Sequence, residues 1–114
     1  MVKKTYPGHQ MVGILALAGP RDPRIIQHVR AGLGSNYEEV VLVTARALAM
    51  LGSDEAYGKA LAATTSTDAR QRSLAALALG ALGKPQAADS LAGMLKDSDP
   101  DVRLAAALAI LQLR

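Results

Sequence analysis

Three carboxylates stand at i, i+2 and i+4 in Asp97, Asp99 and Asp101, a spacing that in a calcium loop turns oxygens onto one hard cation. The glycine at loop position 6 and the glutamate at position 12 that complete such a loop are missing. These aspartates are therefore expected to cap a helix and hold neighbouring groups rather than a metal. The two histidines, His9 and His28, pair with no plausible nucleophile and are too few for a metal cluster. His28 is expected to face solvent beside Arg24. The absence of Cys rules out a disulfide framework, a thiolate zinc site and a Cys nucleophile. Ala78-Leu79-Gly80-Ala81-Leu82-Gly83 carries glycines, but it fits a helix end with packing glycines rather than a phosphate loop. No catalytic, cofactor-binding or metal-ligating set emerges, so the chain is expected not to be an enzyme.

What remains is architecture. Of 114 residues, 22 are Ala and 17 are Leu, with 3 Tyr, no Phe and no Trp. Ala and Leu are the strongest helix formers, so the expected fold class is all-α. The length suits one domain over 1–114. Sliding the chain against itself by 31 places aligns Ala45 with Ala76 and Ala107, Leu48 with Leu79 and Ile110, and Leu51 with Leu82 and Leu113. It also aligns Asp68 with Asp99 and Arg72 with Arg103. Three units follow, 22–52, 53–83 and 84–114, with a partial unit at 9–21.

Each unit divides into two helices. The first is expected from Pro23, Asp54 and Pro85 to near Leu33, Thr64 and Lys96. The second is expected from near Tyr37, Asp68 and Pro100 to Leu51, Leu82 and Leu113. With a further helix at 9–18 the expected total is seven. Asp22-Pro23 and Asp99-Pro100 place a capping Asp before a first-turn Pro, and Asn36 with Glu39 has capping-box spacing. Gly34, Gly52 and Gly83 mark stops. Tyr37 and Tyr57 fall at helix starts or between helices. The last helix carries Val102, Ala106, Ala109, Ile110 and Leu113 on one side and Ala105, Ala107 and Leu108 on others. A helix apolar nearly all round needs neighbours on several sides, and a stack of helix pairs supplies them. The expected architecture is an α-solenoid of about three 31-residue helix pairs plus an N-terminal helix.

Net charge is +3, distributed as +4 over residues 1–37 and −1 over 38–114. Lys3, Lys4, Arg21, Arg24 and Arg30 form the basic end, which most simply is a solvated end and otherwise a weak nucleic-acid footprint. Lys3-Lys4 followed by the apolar run Met11–Ala18 has the outline of a secretory signal, but Tyr6-Pro7-Gly8-His9-Gln10 interrupts it and the run is short. The default expectation is cytoplasmic. No stretch reaches the roughly 20 apolar residues of a membrane span.

The repeat pattern resembles the HEAT repeat family, in particular the short bacterial and archaeal type grouped with phycobilin lyase HEAT-like repeats. The resemblance rests on Asp97-Ser98-Asp99-Pro100-Asp101-Val102-Arg103 followed by Ala106, Ala107, Ala109, Ile110 and Leu113. It rests also on Asp68, Gln71-Arg72, Ala75-Ala76, Ala78-Leu79-Gly80 and Leu82-Gly83, and on Ala45, Ala47-Leu48 and Leu51-Gly52. The first unit departs from it, with Val40-Val41 in place of Val-Arg and Ser35 in place of Asp97. The middle unit has Ser66 at that place.

The resemblance implies an alpha-alpha superhelix and an inter-repeat ladder carried by Asp97, Arg103 and Arg72. It also implies a partner-binding face on the second helix of each pair. By register that face holds Leu42, Val43, Arg46, Met50, Leu74, Leu77, Leu104 and Leu108. Two readings of so apolar a face stand side by side: ordinary core, or a groove for an amphipathic helix, a peptide or a second copy. The expected function is non-enzymatic protein–protein interaction or scaffolding without cofactors. The alternatives are an accessory module of a lyase or other enzyme, and a nucleic-acid scaffold using the basic end. The Trp and the basic groove of HEAT-like DNA glycosylases are absent from the pattern. Open repeat ends imply a fragment of a longer array or self-association.

Overall fold

The computed structural model describes residues 23–113. Among these are six α-helices: α1 Pro23–Arg30, α2 Glu38–Met50, α3 Tyr57–Ala63, α4 Ala69–Leu82, α5 Ala88–Met94 and α6 Pro100–Ile110. No strand occurs among the described residues. The odd-numbered helices are short and the even-numbered ones long. Short 3-10 segments follow α1 at Ala31–Gly34 and precede α5 at Pro85–Ala87. The partial unit at 9–21 and its helix lie outside the described residues.

The even helices stack in the order α2, α4, α6, and each packs against the odd helix of its own pair. This is the stacked helix-pair arrangement of an α-solenoid. The core is built from small side chains: Ala45, Ala60, Ala76, Ala78, Ala87, Ala106 and Ala109 are buried with Leu79, Leu91 and Val102. Ala at these places lets helix axes approach closely, and stacking one pair on the next buries what a single pair leaves wet.

Gly80 marks the closest approach. A Cβ there would stand 2.7 Å from Ala109 Cα and 2.9 Å from Ala109 Cβ, so α4 and α6 meet almost backbone to backbone. Gly52 and Gly83 follow α2 and α4 with φ of 92° and 68°, the left-handed conformation that closes a helix at no steric cost to glycine. After Gly52, Ser53 N–H returns to Leu48 O at 2.8 Å. Gly34 differs from that expectation: its φ is not positive, and α1 ends instead through the 3-10 segment.

Helix starts agree with the sequence where an Asp caps. Asp68 accepts from Arg70 N–H and Asp99 from Asp101 N–H, each at 2.8 Å. The box expected from Asn36 and Glu39 does not form. Tyr37 occupies the cap position, its N–H is held by Ser35 Oγ at 3.0 Å, and Glu39 reaches across to Arg70 at 2.9 Å. Likewise α3 begins at Tyr57 rather than at Asp54, because Asp54 and Glu55 are drawn into ion pairs with neighbouring units. The last helix stops at Ile110, short of Leu113.

Candidate interaction surface

Ion pairs tie each unit to the next, and they come at spacings of 25, 30 and 31 residues. Arg30 meets Glu55 at 2.8 Å and Arg72 meets Asp97 at 2.8 Å, both 25 residues apart. Arg70 meets Glu39 one repeat length away, and Lys84 meets Asp54 at 2.8 Å. The Arg72–Asp97 pair is the most sheltered, with side chains 17% and 13% exposed. Its geometry is a fork: Nε donates to Oδ2 at 2.8 Å and Nη2 to Oδ1 at 3.0 Å, while Nη1 donates to Ser66 O at 2.9 Å. Two parallel bonds to one carboxylate are what the planar guanidinium does best. Asp97 Oδ1 also accepts Asp99 N–H at 2.9 Å.

Arg103 repeats only half of this. Its Nη1 donates to Asp97 O at 2.7 Å, as Nη1 of Arg72 does to Ser66 O, and its charge acts on the nearby Asp97 carboxyl without forming a second fork. Between the first and second units both members of the rung are missing together: Val41 stands where Arg72 does, and Ser66 stands where Asp97 does. Val41 is buried, so apolar packing replaces the rung there.

The fork holds the Asp97 carboxyl below the usual carboxylate range, with help from the Asp99 N–H. Glu55 is lowered in the same way by Arg30, and Asp54 by Lys84. A carboxyl depressed in the folded state adds stability at neutral pH, all of it present above its unfolded pKa and lost as pH falls through its folded one. Asp97→Asn is therefore expected to lower Tm at pH 7, with the two melting curves converging as the pH is taken toward 2. Equal separation at both ends would mean that the ionised carboxylate contributes nothing.

The aspartates at 97, 99 and 101 thus serve as rung, cap and exposed first-turn residue. Among the described residues no three His, Asp or Glu side chains converge as a metal site would require. An open groove of about 540 Å³ lies between the loops after α2 and α4, and its charged pair, Asp54 and Lys84, is joined to itself. Tyr57 packs at that edge with Lys84 Nζ 5.8 Å from its ring centre. Tyr37 and His28 are exposed. Of the basic end, Arg30 is taken up by Glu55; Lys3, Lys4 and Arg21 lie outside the described residues. No described helix is long and apolar enough to cross a membrane.

The eight residues assigned to one partner face fall into three places. Leu42 is core: it is fully buried with Ala63 and Ala75, so it is withdrawn from the surface. Val43, Arg46 and Met50 are exposed on α2, with Met50 73% accessible, and Leu74 and Leu77 lie half-buried at the matching places on α4. Leu104 and Leu108 are exposed on α6 at 61% and 49%.

The division has a simple cause. Positions 42, 73 and 104 share one place in the repeat, on the side each even helix turns toward the next. At α2 that side is covered by the following unit. On α6 no described element covers it. Leu111, 82% exposed, was missed by the sequence reading. The signal for it was its register match to Gly80 and Ala49, the other two stacking positions.

Comparison with characterised proteins found no match. The family model of HEAT repeats, in contrast, matches residues 26–112, from within α1 through α6. It does not single out the phycobilin lyase type. With the stacked pairs, the 31-residue register and the Arg72–Asp97 rung already in place, the conclusion is that this chain belongs to the HEAT repeat family.

Proposed function

We propose that the chain is a non-enzymatic protein-interaction module, and that the exposed side of its even helices, centred on Val43, Arg46 and Met50 and continuing over Leu74 and Leu77, receives the partner. HEAT repeats commonly act as protein-interaction scaffolds, which supports an interaction role. The carrying observation is Met50, 73% exposed beside Val43 at 38%, on a helix whose remaining apolar residues are buried or half-buried. Exposed apolar side chains on one face of a helix, here two turns apart and flanking Arg46, supply the kind of surface a partner can cover. The charged groups, in contrast, are largely committed to caps and inter-unit pairs, which leaves little for chemistry.

The test is a photo-crosslinker placed at Met50 and, as a control, at the exposed Lys59 on α3, in cells expressing the chain. A discrete protein adduct is expected from Met50 only. Val43→Lys with Met50→Lys is expected to remove binding of that protein while changing stability by no more than about 0.5 kcal/mol, as surface changes usually do. Equal adducts from both sites, or binding untouched by the double change, would overturn the reading.

A further inference from the structure

One place in the repeat is solid at the junction of the second and third units and open at the junction of the first and second. At the solid junction Met94 and Val102 are buried in the core, and Asp97 is held in its fork with Arg72. One repeat earlier the register sets Ala63, Gln71 and Ser66 at those three places. Ala63 and Ser66 are smaller than the residues they match, and Gln71 is polar. A groove of about 300 Å³ results where the start of α2 meets α3 and the turn into α4, lined by Glu38, Lys59, Ala62, Ala63, Ser66 and Gln71. It lies between two described units rather than at either end of the stack. Its volume is at the lower end of small-molecule sites, about 300–1,000 Å³.

The lining is chemically divided. Glu38 and Lys59 bring opposite charges to the groove, and neither side chain makes an ion pair or hydrogen bond among the described residues. At the solid junction their places are held by Ala69 and Ser90, so stacking two units does not require charge there. Ser66 Oγ donates to Gln71 Oε1 at 2.7 Å while accepting Asp68 N–H at 3.1 Å. The amide oxygen is thereby occupied, and Gln71 Nε2 has no partner among the described residues. Gln71 is half-buried, and a donor partly withdrawn from water gains more from a partner than an exposed one. Ala62 and Ala63 supply an apolar wall.

Two donors, one of them cationic, therefore share a groove with a carboxylate. A plain anion there is repelled by Glu38 and a plain cation by Lys59, whereas a molecule with both charges answers both groups. We propose that this groove binds a free α-amino acid with a short apolar side chain. Its carboxylate accepts from Lys59 Nζ and Gln71 Nε2, its ammonium donates to the Glu38 carboxylate, and its side chain lies on Ala62 and Ala63. None of these residues belongs to the surface around Val43 and Met50, so the site goes beyond the protein-interaction reading.

The probe is L-valine, titrated into the full chain while the Ala62 and Ala63 methyl signals and the Gln71 side-chain amide are followed by NMR. Saturable shifts of all three are expected in the millimolar range, as suits a ligand of about eight heavy atoms. Isovalerate lacks the ammonium and isobutylamine lacks the carboxylate. Each is expected to bind about tenfold more weakly, the worth of a charge-assisted contact. Lys59→Gln is expected to weaken L-valine by the same factor and leave isobutylamine no weaker; Glu38→Gln is expected to weaken L-valine and leave isovalerate no weaker. Ala63→Met with Gln71→Val, the residues of the solid junction, fills the groove and is expected to abolish binding with the helical circular dichroism retained.

The proposal fails if L-valine moves none of these signals, or if the three ligands bind alike. It fails also if the Lys59→Gln and Glu38→Gln chains bind L-valine as the parent does, or if shifts fall instead on the groove at Gly52 and Gly83. These two single changes are at exposed positions, so they decide the matter even where the filled chain does not fold. A Met50 adduct, found or missing, alters none of these outcomes, and the two readings stand or fall separately.

Discussion

Replacing Leu42 with Asp is expected to unfold the domain, whereas replacing Leu104 with Asp leaves it folded. The two residues hold the same place in the 31-residue register and receive the same new side chain, so only their surroundings differ. Leu42 is 0% exposed and packed with Ala63 and Ala75, and Leu104 is 61% exposed. Truncating a buried leucine alone costs about 2–5 kcal/mol. Placing an unpaired carboxylate in the same site adds several kcal/mol more, or forces it to protonate. The sum matches the whole stability of a typical domain, about 5–15 kcal/mol. At Leu104 the carboxylate stays in water near the start of α6, where the helix dipole favours negative charge. Circular dichroism at 25 °C and thermal melts decide the matter. A folded Leu42→Asp chain with the melting temperature of the parent would show that α4 does not cover that position.

The second large effect concerns two glycines on helices. Gly80→Ala is expected to destabilise by about 1–3 kcal/mol, the usual cost of overpacking, and to lower Tm by roughly 4–8 °C per kcal/mol. The added methyl would stand 2.7 Å from Ala109 Cα. Backbone cannot rotate away as a side chain can, so α4 and α6 must separate and loosen the Ala-rich contact along their length. Alanine's better helix propensity, worth about 1 kcal/mol, offsets only part of this. Gly93→Ala in α5 is the matched control, since nothing lies within 4 Å of a Cβ there. It is expected to gain about 0.5–1 kcal/mol. Opposite signs in the two melts support the close approach of α4 and α6. A stabilised Gly80→Ala chain would contradict it.

The rung between the second and third units shows how much of the site was legible in advance. Arg72, Asp97 and Arg103 stand out because the register aligns them and the family resemblance gives them a task. The missing rung between the first and second units is legible for the same reason: Val41 and Ser66 replace its two members together. The pairs Arg30–Glu55, Arg70–Glu39 and Lys84–Asp54 were less visible, since long exposed side chains at many spacings look alike until the helices are placed. They also explain two departures from the expected helix starts. Asp54 and Glu55 serve neighbouring units, and Glu39 leaves its capping position for Arg70.

The sequence by itself determined the all-helical class, the repeat length, the pairing of a short helix with a long one, and the small-residue seam at Ala45, Ala76 and Ala107. Each of these rests on local propensity or on periodicity, which a linear string carries in full. It did not determine which apolar residues are core. Positions 42 and 104 are both leucine at one repeat place, yet one is sealed and the other stands in water. That difference arises from order in the stack: a unit followed by another has its forward side covered, and on α6 no described element covers it. Burial in a solenoid is a property of neighbours rather than of residue type, so only the tertiary structure could divide the leucine-rich face into core at Leu42 and exposed positions at Val43, Met50, Leu104, Leu108 and Leu111.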